Sequence, residues 1–338
     1  MQQKTRYISV QIGIGGFQPY PASEVDRLGY GDCKGLTNYT KALLSIVGIE
    51  SYYSVVQAGN FKVDFHPDFA DMNQGNHVIL CLPFENDTTW LECTSKFSPF
   101  GFLGDFTDDR LVVACTPEGG KIMRTTKYPT SESRQVRKAE FKIAENGSLS
   151  GKMTTIFEGA QFDNHHSLLN EAYSEQVKKL PELYPLPNLD VKSLQFEMEK
   201  KEKPATKEVL DFNSYNYCAI VDGKMHLYLN PINKIRPIRE IRNRNNPVYI
   251  NRGYYDEDVF NFELPEGYLF NVQPEKTTIE KPFGKYTTDL SVTGKIITYK
   301  RVMQLNEGYF KAEDYQDLVD FYQAIADADN AKLILSKI

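Results

Sequence analysis

Tryptophan is nearly absent, one residue in 338, and cysteine is sparse, with five residues at 33, 81, 93, 115 and 218. No two cysteines form a Cys-x-x-Cys pair and their number is odd, which argues against a disulfide scaffold and against a thiolate zinc site. No apolar run approaches the ~18 residues that span a bilayer. No uninterrupted apolar stretch follows the first six residues, as it would in a signal peptide. Positive charge is short as well. Lys and Arg number 39 against 45 Asp and Glu, a net charge of −6, so nucleic-acid binding has no electrostatic footprint. What the chain does have is tyrosine and phenylalanine, 21 and 20 residues, types that pack well on pleated surfaces. Its 41% hydrophobic and 25% charged residues are ordinary for a globular protein. At ~150 residues per domain, its length predicts about two domains.

The order of patterns predicts a mixed α and β region over residues 1–120 and a mainly β region over 121–338. In the first, residues 6–14 alternate as a strand, and Gly15-Gly16 ends it. Residues 34–47 carry Leu36, Tyr39, Leu43, Leu44 and Val47 on one helical face, with Asp32 as N-cap and Gly48 past the C-terminus. Strands are expected at 51–57, 76–82, 88–92 and 111–115, the middle two joined by a Glu85-Asn86-Asp87 turn. The boundary is placed near 121–133. Beyond it, Asn146-Gly147, Asp222-Gly223 and Thr293-Gly294 sit between strand-like runs as hairpin turns. Helices are expected at 167–180 and 312–328, with a last strand at 333–338, together a β-sandwich-like arrangement.

The sharpest chemical feature is Tyr30-Gly31-Asp32-Cys33-Lys34-Gly35, which opens the first helix. A thiol there lies near unpaired N–H groups and the positive end of the helix dipole, both of which favour thiolate. The same N–H groups can stabilise an oxyanion. His77 begins an apolar strand, where an imidazole can take a thiol proton. Glu92, fifteen residues on, lies in the next strand, within reach of orienting that ring. Taken singly, each has a plainer reading: a buried small thiol, a structural histidine, a solvated carboxylate.

Together, Gly31-Asp32-Cys33, Asn76-His77-Val78 and Trp90-Leu91-Glu92 resemble the transglutaminase-like superfamily of papain-like folds. Phe100-Gly101-Phe102, residues 116–120 and Leu264-Pro265-Glu266-Gly267 are similar to its bacterial branch with flanking β-sandwich domains. The resemblance implies an α+β papain-like core over 1–120, N-terminally truncated relative to its relatives, then a β-sandwich-like domain over 121–338. It implies a Cys33–His77–Glu92 triad acting on a peptide or protein amide, by hydrolysis or acyl transfer, without metal or organic cofactor. It also implies a periplasmic or extracellular setting, with cell-envelope substrates among the candidates. Glu92 stands where the family more usually has Asp, and Gln18 is the sole candidate for a second oxyanion donor. The rival reading is a non-catalytic binding or scaffold protein that keeps the fold.

Other patterns carry less. His165-His166 lack metal-ligand spacing, and Gly13-x-Gly15-Gly16 lacks the spacing of a dinucleotide loop. The five basic residues at 234, 236, 239, 242 and 244 read as a solvated face.

Overall fold

The computed structural model describes residues 1–85, 87–199, 203–269 and 276–337; Asn86 of the expected turn and Ile338 of the expected last strand lie outside these. The chain divides into two compact units, Met1–Tyr128 and Pro129–Lys201 with Ala205–Ile338. The papain-like α+β class is not what forms. Strands hold 40% of the chain and helices 21%, so it is mainly β, with a sandwich-like architecture. A motif at one helix start specifies local geometry, not how much helix surrounds it. The alternating burial along most strands decides the class instead.

In the first unit a short parallel pair, β1 (Arg6–Tyr7) and β2 (Tyr30–Gly31), flanks helix α1 (Ala22–Leu28) and leads into α2 (Cys33–Ile46). Five strands then form an antiparallel sheet: β3 (Tyr52–Val56), β4 (His77–Phe84), β5 (Asp87–Leu91), β6 (Leu111–Thr116) and β7 (Gly119–Arg124), in spatial order β5-β4-β3-β6-β7. β4 is buried on both faces from His77 to Leu82. Leu80 and Leu82 pack with Val25, Leu36 and Tyr39 of the helices, while Ile79 and Cys81 pack with Trp90, Leu103 and Val112 on the other face. Burying these side chains contributes on the order of 2 kcal/mol each, enough to fix α2 against the sheet. The strand expected at 6–14 is mostly absent. Residues 13–16 form a 3-10 turn and Ile12 and Ile14 are exposed, because no strand pairs with that stretch beyond Tyr7.

In the second unit eight strands form one sheet. Four are β8 (Arg134–Ile143), β9 (Leu149–Glu158), β10 (Leu189–Glu199) and β11 (Ala205–Ser214), in order β10-β11-β9-β8. Three small strands follow in the chain, β12 (Ala219–Val221), β13 (Lys224–Tyr228) and β14 (Val248–Ile250). The large sheet resumes with β15 (Tyr254–Glu263), parallel to β8. After β16 (Tyr268–Leu269), strands β17 (Lys276–Lys281), β18 (Gly284–Thr293) and β19 (Ile296–Leu305) complete it as β15-β19-β18-β17. Last come β20 (Gly308–Phe310), which pairs with β14, and β21 (Lys332–Lys337). The four-stranded sheet β12-β13-β21-β16 packs Met225, Leu227 and Leu335 against Phe141, Phe212, Phe260 and Phe262 of the large one.

The Asp222-Gly223 turn has φ of 49° and 74°, the left-handed pair that a two-residue hairpin needs. The helix expected at 167–180 is two helices, α3 (Ala160–Leu169) and α4 (Tyr173–Leu183). The break comes where Asn170 caps the first, its side chain donating to the His166 carbonyl, and Ala172 turns extended. The helix expected at 312–328 forms as α5 (Tyr315–Asp329), with Leu318, Phe321 and Ile325 packed on Phe283, Tyr286 and Met303.

Candidate active site

Three element ends meet in the first unit: the start of α2, the start of β4 and the end of β5. Asp32 caps α2, its Oδ1 accepting from the Gly35 N–H at 2.9 Å while its Oδ2 pairs with the buried Lys34 ammonium. That leaves the N–H groups of Cys33 and Lys34 with no acceptor among the described residues. Cys33 is the first residue of the helix and is 4% exposed. Thr37, one turn on, donates through Oγ1 to the Val78 carbonyl at 3.3 Å, tying the helix to β4 beside His77.

His77 is buried and joins the other two. Its Nε2 lies 2.9 Å from Glu92 Oε2. Burial opposes its charge, but the neighbouring Cys33 and Glu92 outweigh that and lift its pKa to about 9. Glu92 follows the last residue of β5; its Oε1 accepts from the Thr94 N–H at 2.9 Å and from Thr94 Oγ1 at 2.5 Å. Burial works against this carboxylate too, and the bonds from His77 and Thr94 prevail, holding its pKa below the usual range. The imidazole and the Phe106 ring meet edge-on, their centroids 5.5 Å apart.

The surroundings are built from loops held by backbone contacts. The Asn76 side chain, next to His77, accepts from the Ala58 N–H at 2.7 Å and donates to the Ala58 carbonyl at 3.0 Å. Arg110 is fully buried and its guanidinium donates to five carbonyls: Asp108 at 3.0 Å, Gln57 at 2.7 Å, Gly59 and Asp105 at 2.9 Å, and Phe61 at 3.4 Å.

The sequence candidates therefore divide. His77 and Glu92 are in hydrogen-bond contact, and Cys33 is close enough to His77 to raise its pKa. Gln18 is exposed, and no hydrogen bond of its side chain is found among the described residues. Cys81, Cys93 and Cys218 are buried thiols with pKa values pushed up by burial, to about 11, 12 and 12. Sequence reading missed Thr94, Thr37, Phe106 and Arg110. Only Thr94 carried a local signal, a hydroxyl two residues after a carboxylate; the others reach the site by tertiary contact. Among the described residues no group of three or more His, Cys, Asp or Glu has metal-binding geometry.

Residues 225–335 match the model of a family described as a domain of unknown function with solved-structure structure (DUF3858). No curated protein matches the chain. Among solved structures, a protein of Parabacteroides distasonis described as a "putative protease" is similar over 99% of this chain, with a TM-score of 0.52 and 14% identity. The match takes in 49% of that protein, so this chain spans about half its length. The likeness is one of fold.

Proposed function

We propose that this protein is a transglutaminase-like thiol enzyme that attacks amides, with Cys33 as nucleophile, His77 as proton carrier and Glu92 orienting the ring. The observation that carries the reading is His77, bonded through Nε2 to the Glu92 carboxylate and lifted in pKa by the neighbouring thiol at a helix start. In the reaction Cys33 Sγ adds to the amide carbon with the thiol proton held on His77, whose pKa of about 9 keeps the ring charged. The oxyanion is met by the free N–H groups of Cys33 and Lys34. His77 then passes the proton to the departing amine, leaving a thioester, which water or a second amine resolves. Glu92 keeps Nε2 engaged, which reserves Nδ1 for the thiol proton in this reading. The description of the Parabacteroides distasonis protein as a "putative protease" favours water as the acceptor.

Limited iodoacetamide labelling at pH 6.5, read by mass spectrometry, tests this. Cys33 should be modified before Cys115, the exposed thiol, and before the three buried ones. Labelling of Cys115 with Cys33 left untouched would sink the assignment. A second reading, a binding or scaffold protein that retains the site, draws on the 4% exposure of Cys33. It predicts a thiol closed to reagents and no turnover of casein or small amides, whatever stands at position 33.

A further inference from the structure

Two phenylalanines beside the site are exposed in a way that composition does not explain. Phe106 is 48% exposed although one side of its ring meets His77, and Phe61 is 69% exposed on the neighbouring loop. Leaving such rings in water forgoes on the order of 1–2 kcal/mol apiece. Neither sits on a loose tip. The Gly59 N–H donates to the Phe106 carbonyl at 3.0 Å, and Arg110 bonds the carbonyls of Gly59, Phe61 and Asp105 at 2.9, 3.4 and 2.9 Å. One buried guanidinium therefore holds both stretches of backbone. A guanidinium takes several carbonyls out of water only where their placement is fixed, and a fixed apolar surface binds without first being ordered.

We propose that Phe106 and Phe61 form an apolar subsite that selects a substrate with an apolar, preferably aromatic, side chain next to the amide attacked by Cys33. This rests on the thiol-enzyme reading above. The edge-on contact of the Phe106 and His77 rings, centroids 5.5 Å apart, places the subsite beside the proton carrier. Its bearers are uncharged rings, so an acidic or basic side chain gains nothing there. Arg110 acts as a positioning residue, touching the backbone of both loops rather than the substrate.

The test compares two alkylating probes on Cys33, iodoacetamide and N-benzyliodoacetamide, with free glutathione as the reference thiol. In the unaltered chain the benzyl probe should be favoured over iodoacetamide by roughly tenfold more than glutathione favours it, as burial of one ring allows. Phe106→Ala or Phe61→Ala should bring that preference down to the glutathione value, and Phe106→Leu should keep part of it. Because the ratio cancels any change in thiol reactivity, a disturbed His77 does not mimic the effect. A preference unchanged in both alanine variants, or absent from the unaltered chain, overturns the proposal. If neither probe reaches Cys33 at all, the thiol-enzyme reading fails with it, a result distinct from labelling without preference.

Discussion

Both units bury charged groups, and they do so differently. In the second unit Arg301 donates to Asp329 at 2.8 and 3.3 Å and to Asp258 at 3.1 Å, while Arg137 donates to Asp258 at 3.0 Å. Asp329 also accepts from Tyr286, Asn230 and the Ile235 N–H, each at 2.8 Å. Arg301, Asp258 and Asp329 are wholly buried. Their groups come from strand interiors and from the C-terminal residue of α5, where a carboxylate opposes the helix dipole and needs the guanidinium to offset it. In the first unit the charged chain is short, titratable and assembled at element ends, beside exposed rings. A closed network of permanent charges can only hold a structure. A chain through imidazole, thiol and carboxylate can move a proton.

Breaking the comparison at its strongest point means opening the closed network. Arg301→Leu leaves Asp258 and Asp329 short of charge in a buried setting and should destabilise the second unit by about 3–5 kcal/mol. Residues 129–338, which we propose fold alone, should show this as a lowered midpoint in urea. A midpoint within error of the parent fragment would show that water or repacking compensates.

The pH response should separate the units next. The folded pKa of His77 is about 9 against 6.5 unperturbed. Protonation at this site therefore adds stability that is fully present below pH 6.5 and is lost as pH rises through 9, at most about 3 kcal/mol. Thermal melts of the whole chain from pH 6 to 9.5 should lower the first unit's transition and leave the second unit's, whose buried cations are arginines, nearly unmoved. Equal shifts in both would argue against the His77 coupling.

His77→Ala should slow iodoacetamide alkylation of Cys33 at pH 6.5 by roughly a hundredfold, the low end for loss of a positioned proton carrier. A rate within a factor of a few of the parent would detach His77 from the thiol. The smallest effect should come from Glu92. Glu92→Gln should cost roughly tenfold in that rate, since an amide still reaches the ring but carries no charge. Glu92→Asp should sit nearer the parent if backbone adjustment restores the bond. Parent-like rates in both would remove Glu92 from the site.

The legible part of the site was local. Gly31-Asp32-Cys33 before an apolar helical stripe announced a capped helix with a thiol in its first turn, and that is α2. His77 at the head of an apolar run was visible for the same reason. The Cys33, His77 and Glu92 arrangement was reached through a family pattern; by spacing alone, fifteen residues between His77 and Glu92 fit many geometries. The fold class went wrong because the helix signal was strong where it occurred and the strand signals were many but individually weak. Strand 6–14 failed because alternation predicts a pleat only where a partner strand exists. The single helix at 167–180 failed because Asn170 could stop it only once its side chain had turned back to the His166 carbonyl.

By itself, then, the sequence determined the local elements: the Asp32 cap, the left-handed turn at Asp222-Gly223 and the alternation that buries β8, β9 and β15. These depend on φ/ψ preference, capping and period, which act over a few residues. Tertiary structure alone decided what met His77, that Arg110 would spend its donors on five carbonyls, and that Arg301, Asp258 and Asp329 would close into one network. Most of these contacts join residues tens of positions apart. Their energy comes from desolvating charge and finding every partner at once, and no window of sequence contains that information.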